Sequence, residues 1–286
     1  MSASAKADDI AGGMAGDMAD KATDAAPAGG GNIYECDAVS LELFPHGQRR
    51  LIIDHLSLDV RAGEFLTIVG SSGTGKSTLL RLLGGLMPAS SGAIRFRGTA
   101  VTSAPSGVVV VFQDYSNALL QWRSVTRNVA LGIEGKLDQA EIDRRVRQSL
   151  QMVGLETNAK DHPWQLSGGM QQRVQIARAL ALNPDVMLMD EPFGALDAMT
   201  KASLQDEVLQ VHARTGTSFV FITHDIEEAV YLGDRVVVLA GPPGRIHKIV
   251  EVTLPRPRDQ IRTRQSAEFL NYRAELHAAV LSAGGH

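Results

Sequence analysis

Between Gly70 and Thr78 the chain reads GSSGTGKST, with Gly70, Gly75, Lys76 and Ser77 at the fixed places of the pattern G-x-x-x-x-G-K-[S/T]. Small residues here (Gly70, Ser71, Ser72, Gly73, Thr74, Gly75) let successive backbone N–H groups turn inward onto a phosphate chain. A helix starting behind the loop adds the positive end of its dipole, about +0.5 charge. Lys76 would reach the terminal phosphates as a point charge, and the Ser77 hydroxyl would take one position on Mg²⁺. Further along, the apolar run VMLM ends on Asp190 and Glu191. A carboxylate at the carboxyl end of a buried strand beside a phosphate loop is suited to Mg²⁺, and Asp190 fits that role through water. Glu191, one residue on, points differently and could accept a proton from an attacking water. In LSGGM, Ser167 is a good helix cap, and Gly168 and Gly169 leave the first amides of the following helix uncovered. That makes a second anion-binding helix start, and two of them suggest a phosphorylated ligand caught between two surfaces. Gln113 closes a β-rich run and could reach both the metal and the attacking water. His224 follows SFVFIT and could contact a terminal phosphate.

These residues need strands and helices to hold them. EFLTIVG before the loop is short and β-rich, and STLLRLLGGL after it spaces Leu79, Leu82, Leu83 and Leu86 as a helix would. Ile33 to Phe44, LSLDV at 56–60 and SGAIRFRGTAV at 91–101 read as strands without intervening helices, hence a small antiparallel sheet. GVVVVFQ at 107–113 is continuously apolar, as expected of a strand covered on both faces. The span 114–165 has few strand signals and one amphipathic helix. Asp138 with Glu141 starts it, Ile142, Val146, Leu150 and Val153 form its apolar stripe, and Arg144, Arg145 and Arg147 belong to a solvated surface. This span reads as a helical insertion. QQRVQIARALAL is a helix that stops at Asn183-Pro184, and VMLMD, SFVFIT and RVVVLAG are strands separated by helices, which implies a mostly parallel sheet.

Composition sets the bounds. The 286 residues carry a net charge of −4, which does not suggest an obligate nucleic-acid binder. The single cysteine, Cys36, excludes an intrachain disulfide and a multi-cysteine zinc site. With no secretory signal, a reducing cytoplasm is the expected compartment. No apolar run approaches the ~18 residues of a membrane span, so a role at a membrane requires a docking partner. Residues 1–31, nearly all Ala, Gly, Asp, Ser and Thr, read as a disordered tail. After Pro255 come Arg256, Arg258, Arg262 and Arg264, then a helix with Phe269, Arg273, Leu276 and Val280 along one side, expected to pack on its own domain.

Taken in order, the phosphate loop 70–78, Gln113, LSGGMQQR 166–173, VMLMDEP 186–192, GALD 194–197 and His224 resemble the full motif set of an ATP-binding cassette (ABC) ATPase. The resemblance covers residues 33–255. It implies an α/β P-loop NTPase fold: an ABC-type ATPase core with a small antiparallel β subdomain and a helical subdomain insertion at about 114–165. The domain would span 32–255, with 256–286 a basic, helical extension. It implies further that Lys76 and the loop amides from Gly70 through Thr78 hold ATP, that Ser77, Gln113 and Asp190 serve Mg²⁺, that Glu191 is the catalytic base and that His224 is the γ-phosphate switch. Ser167, Gly168, Gly169 and Asp197 would face the ATP of an opposite subunit. Phe44 would stack on adenine, with Tyr34 the alternative.

NALLQWRSVTRNVALGIE at 117–134 and THDIEEAVYLGDRVVVLAGPPGRI at 223–246 narrow the resemblance to importers of nitrate, sulfonates, taurine and similar small anions. Met170 and Gln121 depart from commoner residues at their positions. The implied protein is a peripheral ATPase subunit on the cytoplasmic face of the membrane. It would pair with a second copy, drive a separate transmembrane permease and work indirectly with an extracytoplasmic solute-binding protein. Residues 115–131, with Leu119 and Trp122, would receive the permease. The competing reading is a soluble ABC-type ATPase of DNA repair or translation. Such proteins carry long coiled-coil or zinc insertions, or two cassettes in one chain, and this chain shows neither.

Overall fold

The computed structural model describes residues 31–112, 118–194 and 196–284. Gln113, Ala195, residues 115–117 of the expected docking segment and all of the tail before Gly31 lie outside the described residues. Two sheets organise the rest. One has four strands in the order β2-β1-β4-β5: β1 (Asn32–Leu43), β2 (Arg50–Arg61), β4 (Ser91–Phe96) and β5 (Thr99–Ala100), all paired antiparallel. The other has six in the order β10-β9-β3-β8-β7-β6: β3 (Phe65–Val69), β6 (Val108–Val111), β7 (Val186–Asp190), β8 (Ser218–Ile222), β9 (Arg235–Ala240) and β10 (Arg245–Glu251). Pairing is parallel from β9 through β6, and only β10 runs antiparallel.

The central parallel strands are mostly apolar because each face has its own core. In β3, Phe65 and Val69 enter one cluster while Leu66 and Ile68 enter the other; in β7, Met187 and Met189 divide from Val186 and Leu188 in the same way. The cluster on the second face joins the small sheet and the helix α1 (Lys76–Leu83), through Val39, Leu56, Leu79 and Leu83 among others. The cluster on the first face takes in the helices α2 (Val125–Ala130), α3 (Gln139–Met152), α4 (Gly168–Ala181), α5 (Ala198–Thr215) and α6 (Ile226–Leu232). It also takes the C-terminal helix α8 (Ala267–Ala283), which follows a short turn, α7 (Arg262–Gln265). Phe269 and Leu276 of α8 are fully buried there, so the basic extension packs on the core it follows.

Two expectations are corrected. The run at 107–113 was expected to be covered on both faces and to reach Gln113. Instead β6 is the last strand of its sheet, ends at Val111, and leaves Val108, Val109 and Val110 half-exposed. An edge strand and a central one share the same apolar run, and only the sheet order distinguishes them. Leu119 was expected on the docking surface, yet it is buried in the first core. Elsewhere the amphipathic helix forms as expected: Asp138 caps α3 by accepting from the Glu141 amide at 2.8 Å, and Ile142, Val146 and Leu150 face inward.

Candidate functional site

The carboxyl ends of β3, β8 and β7 lie side by side, which is where an open parallel sheet offers a crevice. From β3 the chain enters the glycine loop. Gly73 and Gly75 adopt φ of +82° and +88°, left-handed values that favour glycine. Gly75 is the N-cap of α1 and offers no side chain, so the first amides of the helix are left to face a ligand. Thr74 ties the loop by donating its hydroxyl to the Ser71 carbonyl at 2.9 Å. Lys76 Nζ curls back over the loop and donates to the carbonyls of Gly70 (2.9 Å) and Ser71 (3.0 Å).

Across the crevice, Ser77 Oγ on α1 donates to Asp190 Oδ1 at 3.0 Å, although β8 lies between β3, which leads into the loop, and β7, which ends at Asp190. Glu191 follows with φ of +44°, a strained value for a non-glycine residue, and its amide donates to the Ile222 carbonyl at 3.0 Å. That turn aims its carboxylate sideways, and Glu191 Oε2 stands 3.1 Å from His224 Nδ1, just past the end of β8. Burial pulls the Lys76 ammonium below its ordinary pKa, with the Glu191 and Asp190 charges opposing. Burial likewise raises Asp190 against the Ser77 hydrogen bond, and the Glu191 charge adds to the rise. A phosphate beside Lys76 and a cation beside Asp190 would each offset that cost. One carboxylate and one hydroxyl are hard oxygen donors, a set that would suit Mg²⁺.

A second group of expected residues gathers elsewhere. Ser167 caps α4, accepting from the Met170 amide at 3.3 Å. Asp197 caps α5, accepting from the amides of Met199 (3.1 Å) and Thr200 (3.0 Å). The two starts touch: a Cβ on Gly169 would overlap the Thr200 methyl, so this glycine has a packing reason besides an open amide. Gly168 stands half-buried at the head of the same helix. Phe44 lies just beyond β1 and is 63% exposed, free to stack on a ring. Tyr34 is fully buried, donates its hydroxyl to the Leu83 carbonyl at 2.9 Å and packs against Phe96, which removes it as an alternative.

The profile of the ABC transporter family covers residues 53–194. An uncharacterized ABC transporter ATP-binding protein of Methanocaldococcus jannaschii is 46% identical over 232 residues, spanning 81% of this chain and 85% of that one. The chain belongs to the ABC transporter family. A nitrate import ATP-binding protein of Synechococcus elongatus is 43% identical over 237 residues, 82% of this chain but 36% of that protein, so the chain spans about a third of its length. An aliphatic sulfonates import ATP-binding protein of Bacillus subtilis is 39% identical over 230 residues, 78% of this chain and 89% of that one. Among solved structures, a dimeric ATP-binding cassette in a post-hydrolysis state with ADP and Pi aligns with a TM-score of 0.67 at 29% identity, covering 77% of this chain and 98% of that one.

This ABC cassette also holds site-supporting residues that spacing alone does not reveal. The turn between β9 and β10 presses on the phosphate loop: a Cβ on Gly244 would overlap the Thr74 carbonyl oxygen and lie 3.3 Å from that of Ile52. Gly244 is fixed there by donating to the Ile52 carbonyl at 2.7 Å and accepting from the Asp54 amide at 3.0 Å. Gly70 is pinned from the same side, since its Cβ would stand 2.7 Å from the Leu239 carbonyl. Around the expected docking segment, buried Asn128 donates to the carbonyls of Leu120 (3.0 Å), Arg123 (3.0 Å) and Ser124 (3.2 Å) and accepts from the Leu120 amide (2.9 Å). Trp122 is thereby carried, 75% exposed, on an ordered turn.

Proposed function

We propose that this chain is the ATP-hydrolysing subunit of an importer, pairing with a second copy on two ATP and acting on a separate membrane permease for a small anion such as nitrate, a sulfonate or taurine. The observation that carries the reading is the contact chain Ser77–Asp190 and Glu191–His224 assembled at the mouth of a glycine loop with an uncapped helix start. Lys76 and the amides from Gly70 to Thr78 would bind the phosphates, and Phe44 would carry the adenine. Mg²⁺, held by Ser77, Asp190 and Gln113, would neutralise charge on the phosphate oxygens. Glu191 holds a carboxylate able to take a proton from water, and His224 fixes its direction by hydrogen bonding to it. Ser167, Gly168, Gly169 and Asp197 would close on the nucleotide of the partner subunit. The relatives named for nitrate and sulfonate import support the small-anion class. Among the described residues no helix is long and apolar enough to cross a membrane; the chain would act from the cytoplasmic face by docking on the permease.

The test is direct. Purified protein should hydrolyse ATP only when Mg²⁺ is added, and Lys76→Ala should lose most nucleotide binding in an equilibrium titration. Equal affinity in the two proteins would remove the phosphate-loop assignment.

A further inference from the structure

The helices that begin at the two halves of the proposed site are tied to each other away from the nucleotide. Helix α5 starts at Asp197, and α6 starts at Asp225, the residue after His224. Lys201, on the first turn of α5, donates to Asp225 Oδ2 at 2.8 Å and lies 3.3 Å from Glu228 Oε1. Burial alone would pull the Lys201 pKa down, but the charges of Glu228 and Asp225 prevail and raise it. One turn on, Gln205 donates to Glu228 at 2.9 Å, and Tyr231 donates to Asp206 at 2.6 Å. The two helices thus meet through polar groups as well as apolar ones, and Gln205 and Glu228 are almost wholly buried.

The segment after Pro255 closes over this seam. The Gln260 amide donates to the Ala202 carbonyl (3.0 Å), Gln205 Oε1 (3.3 Å) and Asp206 Oδ1 (2.8 Å), all on α5. Arg264 reaches both helices: it donates to Gln205 Oε1 at 2.9 Å and to Glu227 Oε2 at 3.1 Å, and its guanidinium lies 4.9 Å over the Tyr231 ring. Arg264 also donates to Gln260 Oε1 at 3.0 Å, which fixes the amide's orientation. Arg258 takes the far end of α6, donating from one nitrogen to the carbonyls of Val230 (3.2 Å), Tyr231 (2.8 Å) and Gly233 (2.9 Å). These are carbonyls a helix end leaves without intrahelical partners, and a buried cation meets both their lone pairs and the negative end of the dipole. Even with burial lowering it to about 10, Arg258 stays charged at neutral pH.

We propose that Gln260 and Arg264 are positioning residues. They clasp the helix that follows His224 to the helix that follows Asp197, and so set where His224 stands relative to Glu191. The inference rests on the reading of Glu191 and His224 as the hydrolytic pair. Neither clasp residue belongs to the phosphate loop, so binding and turnover should separate when the clasp is opened.

The experiment is steady-state ATPase kinetics with equilibrium ATP titration on the full chain carrying Gln260→Ala and Arg264→Ala. Turnover should fall by about 10- to 100-fold, the size of effect a small misplacement near the chemistry produces. ATP affinity should stay within about twofold of wild type, with full binding stoichiometry. Arg264→Lys, which keeps the charge opposite Glu227 but loses the planar fork, should lie between the two. Gln260→Ala alone is the milder variant and should show the same split at smaller size. In a His224→Ala background, opening the clasp should cost nothing more, because both changes act through one group. Wild-type turnover in the folded double variant would overturn the proposal, as would a parallel loss of affinity and stoichiometry, or an equal loss in both backgrounds. Normal turnover by His224→Ala alone would overturn the hydrolytic pair and the clasp together, and it is told apart by needing no change at residues 260 or 264.

Discussion

Lys76 donates to two carbonyls of its own loop, and Gly244 presses on that loop from behind, so the surface proposed to bind phosphate is shaped on both sides by single residues. Gly244→Ala places a methyl against the Thr74 carbonyl oxygen, and overpacking of that kind costs about 1–3 kcal/mol. Because the loop backbone is what must give, ATP binding should weaken by roughly tenfold or more. Isothermal titration, with the melting temperature checked alongside, would show it; unchanged affinity would mean the turn does not set the loop. That Ser77 meets Asp190 and that Glu191 lies beside His224 was legible in the sequence, since the chemistry proposed for them demands residue types at fixed offsets from a strand end. Gly244 was not. Its constraint comes from Thr74, on a loop 170 residues away in sequence, and no local pattern around a Gly-Pro-Pro-Gly turn announces it. Tyr34 shows the opposite failure: an aromatic before the loop met the pattern, and only its burial against Phe96 ruled it out.

At the scale of elements, strands and helices followed from periodicity, while their neighbours did not. A run of four valines is equally apolar at the edge of a sheet and at its centre, so β6 was read as covered on both faces. β10 was missed because RIHKIVE breaks its apolar residues with His247 and Lys248 and has a single buried residue, Val250. The tail after Pro255 is expected to pack on its own domain, but only the carbonyl end of α6 explains why Arg258 is buried there. The segment proposed for docking divides by burial in its described part. Leu119→Ser should cost about 2–4 kcal/mol as a truncated core residue, lowering the melting temperature by roughly 5–15 °C. Trp122→Ser should leave stability within about 0.5 kcal/mol of wild type, because the ring is exposed and Asn128, not Trp122, holds the turn. In cells, Trp122→Ser should lower solute uptake while ATPase activity of the purified protein is kept. Normal uptake would place the partner elsewhere, and a stable Leu119→Ser would contradict its place in the core.

For the whole molecule, the two groups of site residues sit at separate helix starts: the phosphate loop with Asp190, Glu191 and His224, and the Ser167–Asp197 group joined through Gly169 and Thr200. A single chain that carries two such surfaces can close on nucleotide by presenting one to the other in a second copy, and this is the central claim. It is tested most directly by the ATP-dependent oligomeric state of Glu191→Gln. That change keeps the side chain's shape and hydrogen bonding but cannot take a proton, so hydrolysis should fall by roughly 10²–10⁴ while ATP still binds. Light scattering after size exclusion should then show a dimer with ATP and a monomer without it. Adding Ser167→Arg, which puts bulk and charge at the second helix start, should abolish the dimer while each monomer still binds ATP. A double variant that dimerises as well as Glu191→Gln alone would contradict the claim that these residues meet nucleotide across an interface.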